Sequence, residues 1–144
     1  MTPGATRTFS AELKNLAAIR QFVQETAATL QADANAVHDV VLAVDEMAAN
    51  VMVHGYRGNP GTVEVEVKPE GSALRVCLRD HAPPFDPTLH PMPDLTLPLE
   101  ERPVGGLGVY LTRTLMDEVT YRVTLQGGNE LTLVKKAILP DAKE

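Results

Sequence analysis

A chain of 144 residues with 19 acidic and 13 basic side chains, a formal charge of −6 and a pI near 5.2 suits one domain with a real core. That balance argues against a nucleic-acid backbone as partner, because such affinity rests on clustered Lys and Arg and no basic run occurs. No stretch approaches the roughly 20 apolar residues that span a bilayer. The start MTPGATRTFSAELKN lacks the basic flank and apolar run of a signal peptide, and the lone Cys77 has neither a disulfide partner nor zinc-ligand company, so a soluble cytoplasmic protein is expected.

In chain order, residues 6 to 10 read as a short edge strand. Helical spacing of Leu13, Leu16, Ala17, Ile19, Val23, Ala27 and Leu30 then predicts a helix over 11–31. Asp33 or Asn35 is the expected N-cap of a second helix from about Ala36 to His54, which Gly55 and Gly58 end. From Gly61 the period changes to two. Val63, Val65 and Val67, then Leu74, Val76 and Leu78, alternate with polar residues around PEGS, which predicts a hairpin. Val119, Tyr121, Val123 and Leu125, the turn QGGN, and Leu131 and Leu133 predict a second one. One apolar and one polar face per strand describe an antiparallel sheet with helices on one side, a two-layer α+β fold. Between the hairpins, residues 81 to 105 hold seven of the eleven prolines and suit neither helix nor central strand. A loop of that length is usually functional or disordered.

Three places carry unexpected polarity or glycine. On the second helix Val37, Val41, Val44, Ala48 and Val51 form a core stripe within roughly 80° of arc. Glu46 and Asn50 lie on the other side, surrounded by Leu42, Ala43, Ala49 and Val53 rather than by charges. Four-residue spacing stacks their carboxylate and amide, hard oxygen donors suited to Mg²⁺ that shares a nucleotide's phosphates; a solvated face or a Glu–Asn hydrogen bond is the plainer reading. Asp80 falls on the apolar parity of its strand, where a buried carboxylate needs a donor such as a base's exocyclic amine. The alternative is an exposed strand-end Asp that opens an Asx-turn. Finally, Gly105, Gly106 and Gly108 precede a helix periodic in Leu107, Leu111 and Leu115, a phosphate cradle by its backbone amides and helix N-terminus. It is not a Walker A loop, since no Lys-Ser/Thr follows.

In this order DEMAAN, RDHAPPFDP and GGLGVYL resemble the N box, first glycine box and second glycine box of the Bergerat-fold, histidine kinase-like ATPases. The PPFDP run and the approach LEERPVGGLG look most like the RsbW-like anti-sigma factor serine kinases. The resemblance implies a single ATPase domain over residues 6–139, with the N box at 46–50, the first glycine box at 80–87, an ATP lid at about 88–104 and the second glycine box at 105–108. It implies that Asn50 ligates Mg²⁺, that Glu46 is the general base and that Asp80 hydrogen-bonds the adenine amine. Gly105, Gly106, Leu107 and Gly108 would hold the phosphates of ATP, and Ala82 and Phe85 would belong to the nucleotide site. Arg102, in the lid, could reach the terminal phosphate or be an ordinary solvated Arg, and Thr132 could meet adenine through water, as a threonine on the last strand does in similar proteins. One departure is Asp80-His81-Ala82 where the family reads Asp-x-Gly. Either nucleotide affinity falls, or the backbone avoids positive φ there.

The function so implied is an ATP- and Mg²⁺-dependent protein serine/threonine kinase. Its substrate would be an anti-sigma factor antagonist of the STAS fold and its other partner a sigma factor, with phosphate on the antagonist switching partners. Family members are commonly homodimers. The alternative is a non-catalytic protein-binding module, nucleotide-gated or nucleotide-free, for which Ala82 argues and Glu46 does not. The catalytic part of a two-component histidine kinase is disfavoured, because no dimerisation helix with an acceptor His precedes the domain.

Overall fold

In a computed structural model, which describes residues 4–89 and 106–140, the chain forms a five-stranded sheet covered on one face by three helices. The elements are β1 (Ala5–Ser10), α1 (Leu16–Thr29), α2 (Ala34–Asn50), β2 (Thr62–Glu70), β3 (Ala73–Asp80), α3 (Gly106–Leu115), β4 (Glu118–Val123) and β5 (Asn129–Lys135). All strand pairs are antiparallel in the order β1-β2-β3-β5-β4, so β3 is central and its end, Asp80, sits at mid-sheet.

Register follows the side-chain period of two. Val63, Val65, Val67, Leu74, Val76, Leu78, Leu131 and Leu133 point at the helices and are all buried. Each such side chain is worth roughly 1.5–3 kcal/mol when fully buried. Against them pack Ile19, Val23 and Ala27 of α1 and Val40, Val44, Met47 and Ala48 of α2, with Val109 of α3. Helix α2 lies between α1 and α3, and Arg20 of α1 donates to Asp45 of α2 at 2.7 Å.

Two expectations need correction. The first helix starts with a 3-10 turn, Leu13–Asn15, which swings Leu13 outward to 56% exposure, and it ends at Thr29 before Gln31 at φ 61°. In the second hairpin β4 stops at Val123; Leu125 belongs to the turn and is wholly exposed. The edge position of β4 leaves nothing for its apolar tip to pack on.

The opposite sheet face is polar, as the alternation predicts, but not fully wet. The Arg79 guanidinium reaches Glu66 (2.8 Å), Glu64 (2.9 Å) and Glu130 (2.6 Å), and Arg122 also donates to Glu130. Beneath these long side chains Cys77 and Thr132 are buried, since the stems of such residues cover surface while their heads stay paired or wet.

Candidate functional site

Helix α2 supplies the first wall. Asp33 opens it, its carboxylate accepting from Ala36 N at 3.0 Å, and of the two candidate caps it is the one used. After Asn50 the coil widens into a π-helical turn, Val51–Gly55, closed by the bond from Tyr56 N to Val51 O at 2.8 Å. Such single π turns recur at functional sites. Tyr56 then ties this end of α2 to the sheet: its hydroxyl donates to Thr62 O (2.7 Å) and accepts from His81 N (2.8 Å) and Thr62 N (3.3 Å). The arrangement requires glycine at position 61, where a Cβ would lie 2.1 Å from the Tyr56 ring.

Glu46 and Asn50 line one hollow, open to solvent, together with Val53, His54 and Gly108 of α3. A Cβ on Gly108 would sit 2.8 Å from Glu46 Oε2, so the bare backbone there is what lets α3 come against the carboxylate. Asn50 and Met47 also line a second hollow, walled by Leu78, Leu131, Phe85 and Tyr121, with Asp80 and Asn129 in it. The two hollows share Met47 and Asn50 as wall residues.

Asp80 is 4% exposed and points toward the helix layer, as its strand parity predicts. Its Oδ1 accepts from Ala82 N (2.9 Å) and from Asn129 Nδ2 (2.8 Å). Among the described residues none bonds Oδ2. Burial pushes the carboxyl up in pKa, against the lowering by the hydrogen bonds from Asn129 and Ala82.

Ala82 is buried and its φ is not positive: among the described residues the non-glycine ones with positive φ are Gln31, Arg57 and Ala137. The alanine therefore stands where the family has glycine without backbone strain. Its methyl group faces Gly55, whose own Cβ would come within 3.3 Å of it.

Thr132 is not in the site. Leu131 and Leu133 face the helices, so Thr132 must face away; it pairs with Cys77 across the far face, Oγ1 to Sγ 3.5 Å. The residue that sequence reasoning missed is Asn129, on the same parity as Leu131 and opposite Asp80. The signal was available, since a polar residue on the apolar parity is what singled out Asp80. Phe85, 39% exposed, lines the hollow and donates its N–H to Asn129 Oδ1 at 2.9 Å. Gly106 and Leu107 begin α3, and the Leu107 side chain is not among those described. Gly105 and Arg102 lie outside them altogether, as does most of the expected lid; of the latter, Thr88 and Leu89 belong to a 3-10 turn, Pro87–Leu89. Arg113 of α3 holds that turn through Thr88 O. His38 and His81 are exposed, and no group of three or more His, Cys, Asp or Glu able to hold a metal occurs among the described residues. The Glu46–Asn50 pair is a hard two-oxygen set, which fits Mg²⁺ bound partly by water and phosphate rather than a soft metal in a protein cage.

A two-layer α+β sandwich with a carboxylate and an amide on the central helix, a buried Asp at mid-sheet and a glycine-started third helix defines a nucleotide-binding class. Residues 9–135 match the family described as "Histidine kinase-like ATPase domain", and the chain belongs to it. Within that family it is RsbW-like. It is 28% identical over 88 residues to "Serine-protein kinase RsbW" of Bacillus cereus (strain AH820), covering 58% of this chain and 54% of the relative. It is 27% identical over 128 residues to "Anti-sigma F factor" of Anoxybacillus flavithermus, covering 88% of each. The fold also matches part of a solved structure, that of the RsbU and RsbW domains of Rv1364c from Mycobacterium tuberculosis, with TM-score 0.65 and 19% identity over 98% of this chain and 33% of that one. The matched region thus spans about half the length of the RsbW relatives.

Proposed function

We propose that this domain binds Mg·ATP and transfers its γ-phosphoryl group to a serine or threonine of an anti-sigma factor antagonist. The observation that carries the reading is a pair of neighbouring hollows that share Met47 and Asn50 as wall residues. One has apolar walls and a buried Asp80 whose Oδ2 no described residue bonds, and the other has Glu46 and Asn50 against Gly108. Leu78, Leu131 and Met47 suit the faces of a purine, and Asp80 Oδ2 suits its exocyclic amine. Asn50 would hold Mg²⁺, and the amides at the start of α3 would meet the phosphates. The metal supplies neutralisation of the phosphate charge.

Glu46 accepts the proton of the acceptor hydroxyl as its oxygen bonds to the γ-phosphorus and the bond to the bridging β–γ oxygen breaks, releasing ADP. Pure binding needs no base at this place. Ala82, the feature that favoured a nucleotide-free module, sits without strain, so it gives that alternative little support. On this reading the phosphate placed on the antagonist adds charge at its interface and frees the domain for a sigma factor. A cytoplasmic setting and a homodimer go with the same proposal. No helix among the described residues is long and apolar enough to cross a membrane.

Calorimetric titration of Mg·ATP and Mg·ADP tests the site. Binding that requires Mg²⁺ and is lost in Asp80→Asn and Asn50→Ala supports it. Absence of binding up to millimolar nucleotide removes the kinase reading. Phosphorylation of candidate antagonists, with Glu46→Ala as the control, then tests the transfer.

A further inference from the structure

The side chain of Asn129 is fully committed. Its NH₂ donates to Asp80 Oδ1 (2.8 Å), Ala82 O (3.2 Å) and Pro83 O (3.3 Å); its Oδ1 accepts from Phe85 N (2.9 Å) and from the Tyr121 hydroxyl. The partners dictate the orientation of this amide. Ala82 O and Pro83 O can only accept and Phe85 N–H can only donate, so a flipped amide would oppose like groups at three points. It is 7% exposed, at the start of β5. Gly128 brings it there: a Cβ on that residue would lie 2.1 Å from Asp80 O.

We infer that Asn129 is the positioning residue for base selection, an inference that rests on the nucleotide reading above. By filling Asp80 Oδ1 together with Ala82 N, it leaves Oδ2, which no described residue bonds, as the acceptor available to a base in the hollow that Asp80 lines. An exocyclic amine satisfies that oxygen, whereas a carbonyl at the same position of the ring sets two acceptors against each other in a site that is 4% exposed at Asp80. The same amide holds Ala82, Pro83 and Phe85, so the carboxylate that reads the base and the loop segment leading away from it are one rigid unit.

The substitution that separates this from a merely structural role is Asn129→Asp. It keeps the shape but turns the donor into an oxygen facing three acceptors, so the two carboxyl groups must share a proton. Asp80 then offers a donor as readily as an acceptor. The measurement is the ratio of dissociation constants for inosine diphosphate, which carries a carbonyl in place of the amine, and for ADP, both with Mg²⁺. The parent protein is expected to prefer ADP by about tenfold or more, and Asn129→Asp is expected to bring the ratio to within about threefold of one. Tyr121→Phe removes one donor to Asn129 Oδ1 and leaves the Phe85 bond, so it should lower the ratio by a smaller factor. It carries the test if Asn129→Asp does not fold by circular dichroism. Equal weakening of both ligands, or an unchanged ratio in folded variants, would overturn the positioning role while leaving nucleotide binding intact. Failure of the parent protein to bind either ligand would remove the nucleotide reading and this inference with it.

Discussion

Gly108 and Gly128 make different demands although both abut acidic residues of the candidate site. At Gly108 the atom that a Cβ would meet, Glu46 Oε2 at 2.8 Å, is the far end of a flexible side chain. Gly108→Ala should therefore fold with a stability change below about 1 kcal/mol in urea, while phosphoryl transfer falls by tenfold or more because the carboxylate has been pushed aside. At Gly128 the atom met is a backbone oxygen, Asp80 O at 2.1 Å, which cannot turn away. Gly128→Ala should cost about 1–3 kcal/mol in the same titration and weaken nucleotide binding as well, because the ends of β3 and β5 must separate. A stability loss at 108 equal to that at 128 would contradict this distinction.

The element that organises the site is α2 with the turn that follows it. Asp33 caps its start; Asp33→Ala should lower stability by about 1 kcal/mol with no change in nucleotide affinity, because the lost bond to Ala36 N is at the far end from Asn50. The other end behaves oppositely. Tyr56→Phe deletes a hydroxyl that accepts from His81 N and joins Thr62 to the end of the π turn, leaving His81 N–H beside Asp80 without its partner. A loss of about 1–3 kcal/mol in stability is expected, accompanied by weaker ADP binding in calorimetry. If Tyr56→Phe left ADP binding unchanged, the link between the end of α2 and the Asp80 strand end would not matter for the ligand.

Across the whole molecule the two sheet faces titrate in opposite directions. On the far face the Arg122 hydrogen bond holds the Glu130 carboxyl down to about 2 against the cost of burial, with Arg79 lowering it further. Its stabilisation is thus complete above the ordinary value of 4.5 and is lost as pH falls from there toward 2. On the helix face Asp80 is raised by burial. Its contribution has the other sign: it is most favourable below the ordinary value of 3.8 and declines as pH rises through the raised value. Glu130→Gln should accordingly flatten the acid limb of the stability curve between pH 4.5 and 2, whereas Asp80→Asn should steepen it. Urea titrations at stepped pH read both slopes. Identical acid limbs in the parent and Glu130→Gln would show that the far-face network adds no pH-dependent stability.

By itself the sequence determined the layer architecture, the strand parities and three of the polar positions, because those rest on local periodicity: 3.6 for α2 and two for β3. The same rule should have removed Thr132, which has the wrong parity on β5, and raised Asn129, which has the right one. Other features had no local signature. That Ala82 is free of strain depends on the φ the loop adopts after Asp80. That Tyr56 braces the strand end depends on where β2 begins. That Gly108 meets Glu46 depends on α3 packing beside α2, across a sequence separation of 62 positions. Local propensity acts within a few residues, whereas these contacts join atoms brought together only when the two layers close, and for that reason the tertiary structure alone decided them.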